Sequence, residues 1–211
     1  MRYLTLLAVL CSMTLAQAQD SDTDALLTSL VDKYSESASA QMSFSLEITP
    51  AESSSETFAG TFARKGSSFY LNSPMQSVIS DGKDAWIYIP DNEEVQIVDA
   101  DEEGSLFSPQ TLLEKFYNDS YKYRALPSSA SGRQVIEFVP VNADEEEIYK
   151  MEMTIQRSSL LILELKAFDR SGDRYTMTLS DQQFDVELDD ELFVFDAKNY
   201  PDAYIEDLRI D

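Results

Sequence analysis

The sequence contains no histidine and a single cysteine, Cys11. The first absence removes the commonest general base and the commonest metal ligand. Cys11 lies inside an apolar run at the N-terminus and follows Leu10, whereas an acylated bacterial cysteine follows a small residue. Cys11 therefore reads as filler in a leader. The chain beyond that leader can form no disulfide and offers no thiol nucleophile. Basic residues are also scarce: 16 Lys and Arg stand against 39 Asp and Glu, a formal charge of −23. A chain of that sign is repelled by phosphate backbones, which excludes nucleic acid as a partner. It also avoids anionic membrane surfaces in the absence of a basic patch, and none is visible. No apolar run after Leu15 is long enough for a membrane-spanning helix.

The first residues form a leader. Met1-Arg2 is a short positive start, Tyr3 to Leu15 is apolar with small polar interruptions, and Ala16-Gln17-Ala18 is the small-x-small pattern that signal peptidase reads. Residues 1–18 are therefore expected to be a signal peptide that directs the chain out of the cytoplasm, and residues 19–211 a single domain. Loss of Arg2 would leave 15 basic residues against 39 acidic ones, or −24. With 43% hydrophobic residues the chain is expected to fold despite this charge, which serves solubility.

Asp20 to Ser37 has helical spacing, with Ser21 and Asp22 as N-cap candidates and Leu26, Leu27, Leu30, Val31 and Tyr34 on one face. Gln41 to Ile48 then alternates, with Met42, Phe44, Leu46 and Ile48 on one side, the pattern of a half-buried strand. Thr57 to Arg64 alternates again, and Phe58, Gly60 and Phe62 share a face. Short strands are expected over 68–72, 76–80, 85–89, 94–99, 121–126, 134–139, 148–156, 160–169 and 174–183, with a last one over Leu192 to Phe195. Asp81-Gly82 and Pro90-Asp91-Asn92 are turn signals between them. One helix interrupts the series at Ser108 to Asn118, opened by Ser108 and Pro109 and carrying Leu112, Leu113, Phe116 and Tyr117. Roughly eleven strands, two helices and no βαβ alternation mean one large, curved, mainly antiparallel sheet whose apolar face the helices cover.

The carboxylates could in principle hydrolyse a glycosidic bond as a pair. Most of them, including Asp91 to Glu94 and Asp144 to Glu147, lie in charged turns and read as solvated faces. Asp99 to Gly104 has the acidic start and the sixth-position glycine of a calcium loop, but Gln110 stands where the bidentate glutamate belongs, so an acidic turn is the reading. The strands are rich in large side chains, among them Phe44, Phe58, Phe62, Phe69, Trp86, Tyr88, Phe138, Phe168 and Tyr175. A packed core and a lipid pocket use the same residue types, and composition alone favours the core.

The segment Val78-Ile-Ser-Asp-Gly-Lys-Asp-Ala-Trp-Ile-Tyr-Ile-Pro90 resembles the most recognisable part of the LolA family: an S-D-G-K turn leading into an aromatic strand closed by proline. Other parts resemble the family in the same order. The Phe44 strand follows an N-terminal helix, Gly60-Thr61-Phe62 opens the next strand, and the Ser108-Pro109 helix falls where the family has a lid. Leu192-Phe-Val-Phe195 with Tyr200-Pro201 resembles the closing F-x-F…P pattern. The resemblance spans nearly the whole chain after the leader. It implies an open, incomplete antiparallel β-barrel with a helical lid over an apolar cavity. It also implies a periplasmic carrier, not an enzyme, that needs no cofactor and moves acylated lipoproteins from the inner to the outer membrane. The partners implied are those lipoproteins and the inner-membrane transporter that releases them, with an outer-membrane receptor left open and the carrier itself a monomer. By strand and helix order, the lining of the acyl cavity and lid would be Phe44, Leu46, Phe62, Trp86, Leu112, Leu113 and Phe116. The family's basic lid latch falls near Gly66, just after Arg64 and Lys65. The alternative within the same architecture is a periplasmic module that binds lipid or lipoprotein in order to sense rather than to carry.

Overall fold

The structure, a computed structural model, describes residues 13–100, 113, 117–128, 130–142, 144 and 146–209, with only the backbone given for 13–20. It is one twelve-stranded sheet crossed on one face by a helix, α1 (Met13–Glu36). The strands are β1 (Ser39–Thr49), β2 (Glu56–Lys65), β3 (Ser68–Asn72), β4 (Ser77–Ser80), β5 (Asp84–Ile89), β6 (Glu94–Asp99), β7 (Tyr121–Leu126), β8 (Arg133–Pro140), β9 (Ile148–Gln156), β10 (Leu161–Asp169), β11 (Arg174–Phe184) and β12 (Tyr204–Asp207). Their spatial order is β12-β6-β5-β4-β3-β2-β1-β11-β10-β9-β8-β7. β12 and β7 are the two ends, so the sheet is open, as an incomplete barrel requires.

The order describes two meanders joined at a seam. β1 to β6 run outward by antiparallel hairpins, β7 to β11 run inward, and β1 pairs with β11 in the middle. The hairpin turns follow from their residues. At the β4–β5 turn, Asp81 Oδ1 accepts from the backbone N–H of both Lys83 and Asp84, and Gly82 takes φ +91. Those two amides hold the Asp81 carboxyl below its usual range, that of Asp84 most strongly.

The strand expectations from 41 to 183 are met to within a residue or two. Two differences concern the C-terminus. Leu192 to Phe195 is not a strand: Asp189 accepts from the Glu191 N–H and starts a 3₁₀ turn over Asp190–Phe193, so the segment crosses the sheet instead of pairing with it. A twelfth strand, β12, appears beyond it and lies parallel to β6, an arrangement that local alternation cannot reveal. The helix also begins earlier than its cap candidates indicated. Ser21 and Asp22 lie inside α1, and Asp22 pairs instead with Arg157 at 2.9 Å. Most of the helix expected over Ser108–Asn118, Leu112 and Phe116 included, lies outside the described residues. Within it, Leu113 is helical and its carbonyl accepts from Tyr117 N at 2.7 Å.

The core lies between α1 and one face of the sheet, the helix face. Leu26, Leu27, Leu30 and Tyr34 of α1 pack with Met42, Phe62, Ile136, Phe138, Met151, Met153, Ile155 and Ile162 of the strands. Among the described residues, no helix is long and apolar enough to cross a membrane.

Candidate functional site

Strand register decides which side chains share a face. Across β2, β1 and β11 the pairs Phe58↔Leu46↔Met177 and Gly60↔Phe44↔Leu179 put all of these residues on the helix face, with Phe62 beside Met42 and Leu71. Nearer α1 this surface is closed over: Met42, Phe62 and Leu71 are only 4–5% exposed. Farther along the same strands it opens. Phe44, Leu46, Ile48, Phe58, Tyr175 and Met177 are half-buried and, with Leu71, line an apolar groove of about 260 Å³. Ser73, Met75 and Gln76 of the β3–β4 turn form its rim.

A bulge in the seam shapes this face. Between Gln41↔Gln183 and Ser43↔Ser180 the register slips, so Asp181, at φ +51, and Gln182 together face Met42. The slip turns Gln182 toward the helix, where its Oε1 accepts from the Tyr34 hydroxyl and its Nε2 donates to Ile162 O at 2.7 Å. Tyr34 Oη in turn accepts from Ile162 N at 3.0 Å. Burial drives the Tyr34 hydroxyl well above its usual pKa, so it stays a neutral donor.

Further contacts hold the helix in place. Asp24 accepts from the hydroxyls of Tyr117 and Tyr123, and Lys33 donates to Ser159 O at 2.6 Å. At the C-terminus, Arg64 donates to the carbonyls of Tyr34 at 3.1 Å and Ser37 at 2.7 Å. These are the carbonyls that a helix end leaves without intrahelical partners. A basic residue on β2 thus fastens α1; it stands two positions before Gly66, near which the resemblance put a latch for the lid.

The other face of the sheet has a different character. Trp86 pairs with Ile79 and Ile97, and Tyr88 with Val95, all on the face away from α1. The C-terminal segment crosses there. Trp86 stacks on Phe195 with centroids 5.4 Å apart and planes 5° apart, Phe195 stacks on Tyr200, and Tyr200 meets Tyr88 at 4.8 Å. Beyond them Arg209 pairs with Asp84 at 3.1 Å and with Asp207 at 2.6 Å. Toward the middle of the sheet this face bears small polar side chains, Ser43, Ser45, Thr61, Thr178 and Ser180.

The expected lining residues are therefore divided. Phe44 and Leu46 lie in the groove. Phe62 shares their face but is packed into the core, and Leu113, 1% exposed, belongs to the same core. Trp86 is on the opposite face and cannot reach the groove; its partner is the C-terminal segment. Leu112 and Phe116 lie outside the described residues. Ile48, Phe58, Tyr175, Met177 and Met75 line or rim the groove without having been assigned to it; Phe58 and Tyr175 were named only as large strand side chains. Ile48 and Phe58 were on the right face by alternation, and Met177 follows from Tyr175 by the same period. No cluster of three metal-ligating side chains occurs among the described residues.

Residues 35–196 match the family model described as outer membrane lipoprotein carrier protein LolA. Among solved structures, the chain is similar to an uncharacterized conserved protein from Thermus thermophilus, with TM-score 0.54 and 12% identity over 88% of this chain and 99% of that one. It is also similar to the LolA superfamily protein NE2245 from Nitrosomonas europaea, with TM-score 0.42 and 12% identity over 82% of this chain and 97% of that one. Similarity to the Pseudomonas aeruginosa MucA/MucB complex has TM-score 0.41 and 12% identity, over 84% of this chain and 62% of that one. No curated protein matches the chain by sequence.

Proposed function

This chain belongs to the outer membrane lipoprotein carrier (LolA) family, and on that premise we propose that it carries lipoproteins across the periplasm with their acyl chains in the groove of Phe44, Leu46, Ile48, Phe58 and Met177. One observation carries the reading: apolar side chains continuous with the core remain half-exposed along an open groove instead of being packed over. Burial of a methylene is worth about 0.8 kcal/mol, so an acyl chain exposed to water costs roughly 10 kcal/mol. Transfer from bilayer to groove exchanges one apolar surface for another and is close to neutral, so cargo can be taken up and given back. The described lining carries no charged side chain. The role is one of binding rather than catalysis. The leader, cleaved after Ala18, would deliver the chain to the periplasm and leave the apolar face of α1 intact, since Leu26, Leu27, Leu30 and Tyr34 all follow the cut. The inner-membrane transporter that releases lipoproteins would be the donor.

The test is mass spectrometry of what co-purifies with residues 19–211 after gentle isolation from the periplasm. Acylated lipoproteins in stoichiometric amount are expected. A free lipid would favour a lipid-binding module of the same fold. An empty protein that also refuses added lipoprotein would mean the groove is only an unclosed edge of the core.

A further inference from the structure

The methionines whose side chains are described fall into two groups. Met42, Met151 and Met153 are sealed in the core at 4, 3 and 0% exposure. Met75, 47% exposed, stands on the rim of the acyl groove, and Met177, half-buried, lines it. The two thioethers that solvent can approach are thus both at the groove, and the three it cannot approach are elsewhere.

We propose that Met75 and Met177 are oxidation sites through which a peroxide switches the groove off. The thioether sulfur attacks one peroxide oxygen, the O–O bond breaks, and a sulfoxide and one water are formed. The sulfur loses two electrons and the peroxide gains them, so no further reactant is needed. Oxidation turns a flexible apolar side chain into a polar one. At Met177, opposite Leu46 and next to Phe44, an S=O dipole would lie against the acyl chain among Phe44, Leu46, Ile48 and Phe58, none of which carries a side-chain hydrogen-bond donor, while the Tyr175 hydroxyl of the same lining is engaged with Asp169. At Met75 the same change makes the entrance polar. Neither residue belongs to the buried core cluster, although Met177 packs against it, so the sheet should survive the modification that the site does not. A sulfoxide can be reduced enzymatically, which makes the change reversible.

The inference rests on the groove being the acyl site, and the experiment separates the two. The mature chain is titrated with a fatty acid carrying an environment-sensitive fluorophore, before and after graded hydrogen peroxide, and each methionine is followed by peptide mass spectrometry. Met75 and Met177 should oxidise before Met42, Met151 and Met153, and probe binding should weaken about tenfold in step, the scale set by an unsatisfied polar group in an apolar site. Methionine sulfoxide reductases should restore it. The double variant M75L/M177L, nearly matched in volume, is compared with its own untreated form: whatever affinity it starts from, peroxide should leave its probe binding unchanged. No binding by the untreated protein would sink the acyl-site reading itself. Binding that survives oxidation of both residues, oxidation that reaches the core methionines first, or a double variant that is still switched off would each overturn the switch alone.

Discussion

The ring of Phe44 occupies the space that a β-carbon on Gly60 would need. Its Cε1 lies 2.7 Å from where that atom would stand, and the Asn72 carbonyl closes the space from β3. Glycine at this pair, Phe44↔Gly60, lets an aromatic ring lie flat along the helix face and form the inner wall of the groove. Gly60→Ala should therefore cost about 1–3 kcal/mol of stability from overpacking, although alanine is otherwise the better strand residue. Chemical denaturation measures this. Because the Asn72 carbonyl is backbone and cannot move aside, a second change, Phe44→Leu, should restore only part of the loss. A Gly60→Ala variant as stable as the parent would show that the ring is free to leave.

The two faces of the sheet should respond separately. Leu46→Asp places a carboxylate in the groove and should abolish binding of an acyl probe while strand content by circular dichroism is kept. Trp86→Ala should leave probe binding unchanged and remove the stacking on Phe195, at a cost of about 1–3 kcal/mol for a half-buried aromatic. Loss of probe binding in Trp86→Ala, with the fold intact, would place Trp86 in the cavity after all.

Arg64 joins β2 to the end of α1 through two carbonyls. Arg64→Ala should destabilise the protein by about 1–3 kcal/mol, the range for hydrogen bonds to a charged group. The helix end should also exchange its amide hydrogens faster from Leu30 to Glu36. Arg64→Lys should not rescue it, because a single ammonium does not reproduce the guanidinium fork. Unaltered exchange over that turn would mean that packing alone holds the helix.

Acid should loosen the last strand. Arg209, through its side chain first and then its backbone N–H, holds the Asp207 carboxyl at about 2. The unfolded value is about 3.9, so this group's contribution is fully present above about pH 4 and is lost as pH falls through about 2. Both partners lie at the surface, so the effect is local. Amide protection over Tyr204–Asp207, measured by NMR, should fall across that window in the parent and change less in Asp207→Asn. Equal pH dependence in the two would remove Asp207 from the account.

The alternation of Met42, Phe44, Leu46 and Ile48 was enough to place β1 and its inner face, because the residues between them, Ser43, Ser45 and Glu47, are polar. β5 gave no such choice. Ala85, Ile87 and Ile89 face the helix while Trp86 and Tyr88 face the C-terminal segment, so the strand is apolar on both sides and a period of two cannot say which side is the cavity. Leu192 to Phe195 failed for a related reason: its apolar residues cover a sheet face at an angle, and only the cap at Asp189 marks the departure from a strand. The sequence showed the basic pair Arg64-Lys65 but not what it holds: the resemblance put a lid latch near Gly66, and the contact found is to the end of α1. That Arg64 takes the helix while Lys65 turns away to Leu188 O and Asp190 follows from strand parity, fixed only once β1 and β2 are in register.

The seam between the two meanders bears on how the chain finds this fold. Every other neighbouring antiparallel pair in the sheet joins strands consecutive in sequence, whereas Gln41 meets Gln183 across 142 positions. Closing a loop of that length must precede any reward from the contacts it makes, so the central ladder is the slow step and the flanking hairpins the fast ones. In pulse-labelled refolding the amides shared by β1 and β11 should be protected last. Until then the chain consists of two half-sheets, each with its oily side uncovered and a bare strand edge toward the other, and it is most open to aggregation in that interval. A surplus of negative charge, which keeps such half-sheets on different molecules apart, protects the protein in the interval before its fold can.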